Sequence, residues 1–163
     1  MAVAFDQLTT TDSDGTSVTT ATVNSTSVGS NRIAMIYVTS WVGAGTGFAV
    51  TVGGSAATAL TGDPSFISPW YFVAPPTAST AYVATWDTTA RAVMHVVTFN
   101  GVSQTAPIRQ SQYTGTDSPV TSDSQTFASS VNLDMIVSII EKNPTNEDIV
   151  PGANQTERAD VFY

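Results

Sequence analysis

Apolar residues along the chain recur in short bursts of alternating character, and no stretch carries them at helical spacing for more than about 10 residues. Period-two runs bounded by Gly, Pro, Asp, Asn or Ser read as strands. The pattern predicts strands over residues 2–8, 17–23, 32–42, 48–52, 56–60, 70–74, 81–86 and 91–100. Further strand signals lie near 108–113, over 121–128 and 133–140, and in the segment 156–163. Residues 32–42 are apolar at both parities, with Ile33, Met35 and Tyr37 on one and Ile36 and Val38 on the other. That pattern predicts a strand covered on both faces. Gly53-Gly54 between two runs predicts a tight hairpin, because glycine takes positive φ without steric cost. Turns are expected at residues 11–15, at Asp87-Thr88-Thr89-Ala90 and at Asn100-Gly101. Residues 103–119 form a polar excursion with two prolines, and 141–152 read as loop.

About nine to eleven strands with no amphipathic helix close most naturally as one antiparallel two-sheet β-sandwich, jelly-roll-like in character. Length agrees with one domain over residues 1–163, since 163 residues suffice for one core and not comfortably for two. The last residues, 153–163, look like a strand that pairs with a neighbouring subunit. Composition narrows the class further. Thr, Ser, Val and Ala number 26, 18, 19 and 19, whereas Leu, Lys and Glu together number seven, so the strong helix formers are nearly missing.

Charge removes several function classes. The net charge is −8, made of −3 over residues 1–31, +1 over 32–110 and −6 over 111–163. An acidic chain with a single Lys has little with which to displace counterions from a phosphate backbone, so no nucleic-acid partner is expected. No apolar run is long enough for a helix across a bilayer, and no membrane partner is expected. The amino terminus lacks a basic stretch followed by an apolar one, which predicts a protein made in the cytosol and neither secreted by the usual route nor inserted in a membrane. Without cysteine there is no disulfide scaffold, no thiolate nucleophile and no cysteine metal site.

The remaining chemistry-bearing residues are few. His95, between Val93 and Val97 on one pleat, is expected to be a neutral histidine bonded to a nearby hydroxyl or carbonyl. A Ser-His-Asp triad would have to use it, and no Gly-x-Ser-x-Gly turn is present. A glycosidase would need two facing carboxylates, for which Glu141, Glu147, Glu157 and Asp134 are available, though as solvated acids they are ordinary. Trp41, Trp70, Tyr71 and Trp86 could form a sugar-stacking platform, but each lies in or beside an apolar strand and is expected to pack. Asp12-Ser13-Asp14-Gly15 begins like a calcium loop, yet the next seven residues contain no acid, so a turn held by its own side chains is expected. Asn143-Pro144-Thr145-Asn146-Glu147-Asp148 is a second, similar segment. No catalytic residue, cofactor or metal is assigned.

The surface carries the stronger signal. Sheet proteins blunt free edges with Lys, Pro or bulges, and here one Lys serves the whole chain. Thr- and Val-rich strands with so few charges are expected to be covered by other subunits. The chain also resembles a family of β-sandwich proteins common in bacteriophage particles. The residues carrying the resemblance are Ser30-Asn31-Arg32-Ile33, the hairpin Val52-Gly53-Gly54-Ser55-Ala56 and Trp70-Tyr71-Phe72-Val73-Ala74-Pro75-Pro76. Thr98-Phe99-Asn100-Gly101-Val102-Ser103-Gln104 and Pro107-Ile108-Arg109 extend it. Similar domains continue with further strands beyond Gln155-Thr156-Glu157-Arg158.

The resemblance implies a non-enzymatic virion component, either a head decoration (cement) protein or a tail or fibre module. Its partners would be the major capsid protein and further copies of itself, in a homo-oligomer. The residues expected at such contacts are Val3 and Phe5 near the start and Val161, Phe162 and Tyr163 at the end, because termini reach neighbours most easily. A carbohydrate- or receptor-binding module of a tail is the alternative, and a jelly-roll glycoside hydrolase a more distant one.

Overall fold

The computed structural model describes residues 2–13, 15–41, 47–61, 67–113 and 135–137. All regular structure among them is β, and every pairing is antiparallel. Eight strands are present: β1 (Ala4–Asp12), β2 (Val18–Ser25), β3 (Ile33–Trp41), β4 (Ala49–Val52), β5 (Ser55–Ala56), β6 (Thr58–Ala59), β7 (Ile67–Val73) and β8 (Thr80–Asn100). The expected strands over 121–128, 133–140 and 156–163 lie outside the described residues or barely touch them.

β8 organises everything else. Its first half pairs with β2 on one side and β4 on the other, and its second half pairs with β1 and β3. The expected turn at Asp87-Thr88-Thr89-Ala90 does not form; the strand runs through it. Thr88 and Thr89 are β-branched and suit extended backbone, while the surplus residues are absorbed in a bulge. Opposite β2 the register steps from Val18↔Ala90 to Thr20↔Thr85. Parity is kept across that bulge, because Tyr82, Ala84, Trp86, Ala90, Ala92, Met94 and Val96 are all buried. One face of a single long strand therefore looks into the same interior from both of its halves.

The network closes on itself in a barrel-like way. From β8 it passes to β3 and β7, then to β6, and from the other half of β8 to β4 and β5. β5 and β6 are successive pieces of one short segment, so residues 55–59 join the two ends. The Ala57 N–H donates to the Val50 carbonyl on one side, and the Leu60 N–H to the Pro69 carbonyl on the other, each at 2.9 Å. The hairpin before this segment is the expected one: Gly53 and Gly54 have φ of 56° and 83°, and Val52 pairs with Ser55.

Two apolar clusters result. The interior one joins Val23, Ile36, Val38, Val50, Tyr82, Trp86, Met94 and their neighbours. The second lies on the opposite face of β3 and β8, with Ile33, Met35, Tyr37, Val97, Phe99 and Val102. β3 is covered on both faces, as its unbroken apolar sequence requires. Each Ile, Val or Met side chain fully buried here contributes roughly 1.5–3 kcal/mol. The second cluster is roofed partly by Ile108 and Val137. Residues 108–113 were expected to form a strand and do not. Their polar composition, after Pro107, leaves Ile108 as the apolar anchor of an irregular roof instead.

Candidate functional site

Polar side chains of the described residues gather in three places. The first is the seam where β1 faces β2. β1 carries a bulge at Asp6, between Phe5↔Phe99 and Gln7↔Thr98. The bulge turns the Asp6 carboxylate onto two donors: the fully buried Thr98 hydroxyl and the Val28 N–H, each at 2.9 Å. Gln7 then donates its amide to Ser25 Oγ at 2.8 Å, to Thr26 Oγ1 at 3.1 Å and to the Thr26 carbonyl. Thr9 and Ser25 share a hydroxyl–hydroxyl bond of 3.1 Å. Nearby, Arg32 donates to the Pro75 and Gly29 carbonyls, and Ser27 to Pro75 and Pro76. Each of these groups holds one chain segment to another.

The Tyr82 hydroxyl is buried within the interior cluster. It has no hydrogen-bond partner among the described residues. Burial pushes its pKa up to about 12, with Arg32 lowering it and Asp6 raising it. Ser40 Oγ and the indole nitrogens of Trp70 and Trp86 are likewise buried without a partner.

The second place is His95. It stands on the face of the second cluster, opposite Thr10 on β1 and Tyr37 on β3. The Thr10 hydroxyl and His95 Nδ1 are 3.0 Å apart, which is the hydroxyl bond expected of it. Burial lowers its pKa below the usual histidine range and, more strongly, raises that of Tyr37. Among the described residues the ring's hydrogen-bond partner is the Thr10 hydroxyl, and no acid is bonded to it.

The third is a recess of about 210 Å³ where β1 turns into β2. Thr11, Asp12 and Ser13 form one wall and Val18, Thr20 and Thr22 the other. Ser13 fastens the turn to β8, its N–H donating to the Ala92 carbonyl at 3.0 Å and its hydroxyl accepting from the Ala92 N–H at 3.1 Å. Ser13 thus ties the turn to β8 instead of closing the turn on itself; Asp14 lies outside the described residues. Among the described residues no three of His, Cys, Asp or Glu gather in a way that could hold a metal ion.

The residues singled out by sequence are dispersed. Val3 and Phe5 pack against the second cluster, Phe5 edge-on to Phe99 with centroids 6.1 Å apart. Trp86 is buried against Phe48, while Trp70 and Tyr71 are half-buried against opposite clusters, and Trp41 ends β3. Glu141, Glu147, Glu157, Asp134, residues 143–148 and Val161, Phe162 and Tyr163 lie outside the described residues.

What composition reasoning left unlocated is the edge that matters. Four strands border the network among the described residues: β1, β2, β5 and β6. β1 is interrupted by its bulge and carries Asp6 and Asp12, and β5 and β6 are two residues each. These are recognised ways of blunting an edge. β2 has neither acids nor a short span, and its one register step, at Val18–Thr20, leaves Thr20–Ser25 regular. Its sequence VTTATVNS lacks charge, Pro and Gly, its ladder among the described residues runs to β8 alone, and Thr19, Thr20, Thr22 and Asn24 are exposed. No family model, curated protein or solved structure matches this chain.

Proposed function

We propose that the chain is a non-enzymatic structural protein that works by associating, as a decoration (cement) protein of a bacteriophage shell. On this reading its partners are the major capsid protein and further copies of itself, its place is the virion, and its full fold is a jelly-roll-like two-sheet sandwich. The observation that carries the proposal is the β2 edge, long, uncharged and uncovered among the described residues. Supporting it, Asp6, Gln7, Arg32 and His95 all have bonds that tie the chain to itself. A cement protein needs this combination, a self-sufficient body with an adhesive border, because many weak repeated contacts add up over a shell.

Light scattering on the intact chain tests the reading. A defined oligomer supports association. A monomer at every concentration overturns it, and binding of that monomer to a glycan array would favour a carbohydrate-binding module instead.

A further inference from the structure

The geometry points to β2 as the site at which two copies of this chain join, by antiparallel pairing of β2 with the β2 of the second copy. This inference rests on the associating role proposed above and names the surface and the partner.

An edge strand presents alternate N–H and C=O groups in a row, and any extended segment can bond to them. What selects the partner here is charge. The chain carries −8 overall, so two copies repel unless they meet where neither is charged. β2 offers that: no residue from Val18 to Ser25 is ionisable. The neighbouring edge of β1 would bring Asp6 and Asp12 against their copies.

Parity fixes the register. Val23 and Ser25 are buried and Ala21 packs on the interior cluster, whereas Thr20, Thr22 and Asn24 are exposed. Directly opposed residues in an antiparallel pair point to the same face. Exposed positions must therefore oppose exposed positions, or the interior side chains of one copy would meet the outer face of the other. Two such registers are centred within the regular part of β2. One places Thr22 opposite the partner's Thr22 and Thr20 opposite Asn24, and engages residues 20–24, because Thr19 is exposed where Ser25 is buried. The other centres on Val23 and engages residues 21–25 before the chain turns at Thr26, which Gln7 holds. The two engage equal lengths, and the first sets threonine against threonine on a two-fold axis, a favourable cross-strand pair. The result joins β4, β8 and β2 of one copy to those of the next in one continuous sheet.

The chain has no cysteine, so a single introduced one reports on one place. Thr22→Cys should form a covalent dimer on mild oxidation, since opposed Cα atoms at about 4.5–5.5 Å lie within disulfide reach. Thr77→Cys, exposed in the loop before β8, should not. Thr22→Lys should be monomeric at concentrations where the unaltered chain is a dimer, and mixing it with Thr22→Glu should restore the dimer. An unchanged circular dichroism spectrum would show that these variants fold. If the unaltered chain associates but Thr22→Lys associates equally and Thr22→Cys does not cross-link, the β2 pairing is overturned while the associating role stands. If the unaltered chain never associates, both fall.

Discussion

Asp6 shows how one residue shapes an edge. Its carboxylate satisfies the Thr98 hydroxyl, which has no access to water, and the N–H of Val28 across the seam. Asp6→Ala should cost about 1–3 kcal/mol, measurable as a lower urea midpoint, whereas Asp6→Asn retains an acceptor and should cost less. Tyr82 is the opposite case. Its buried hydroxyl lacks a partner among the described residues, so Tyr82→Phe removes an unmet polar group and should raise stability by up to about 1 kcal/mol. Gly47 has φ of 80°, and a Cβ there would collide with the Asp87 carboxylate. Gly47→Ala should therefore destabilise by more than about 1 kcal/mol, read as a lowered Tm. His95 supplies a pH dependence with a definite sign. Its folded pKa lies below the unfolded value of 6.5, so the unfolded chain binds the proton more tightly. Stability should be full above that value and fall as pH drops from 7 toward 5, and His95→Gln should flatten the fall in denaturation measured across that window. The place of His95 between two valines leaves a carbonyl or a hydroxyl as its partner, and the fold supplies the Thr10 hydroxyl. Asp6 was not, because nothing in AFDQL marks which residue a bulge will displace.

At the scale of elements, β3 and β8 were readable to different degrees. The doubly apolar run of β3 leaves no alternative to a strand covered on both faces. In β8 the alternation through Tyr82, Ala84 and Trp86 and the fuller apolar run from Ala92 to Phe99 are both visible in sequence. They mark a half with one covered face and a half with two. The join between them was not readable, because Asp87-Thr88-Thr89-Ala90 has turn composition and becomes strand only through its pairing context. A hinge there would predict tolerance to insertion; a continuous strand does not. Inserting two glycines after Thr88 should therefore lower the unfolding midpoint sharply, whereas the same insertion after Thr77, in the exposed loop before β8, should be nearly silent.

For the whole molecule, closure by residues 55–59 leaves β2 as the long unprotected border among the described residues, fastened to β1 at its end by the bonds of Gln7 and Thr9 to Ser25 and Thr26. Composition had already signalled an unprotected border somewhere, through one Lys in 163 residues, but not its location. Location needed the register, since β1 and β2 are equally Thr-rich and differ in their acids and in the bulge. The most direct measurement is sedimentation velocity of the intact chain over a concentration series at low salt and at 1 M salt. Pairing through an uncharged edge on an acidic chain should give a mass rising from that of one 17.0 kDa chain to a discrete multiple. Added salt should strengthen it by screening the net repulsion. A single 17.0 kDa species under every condition would contradict the account.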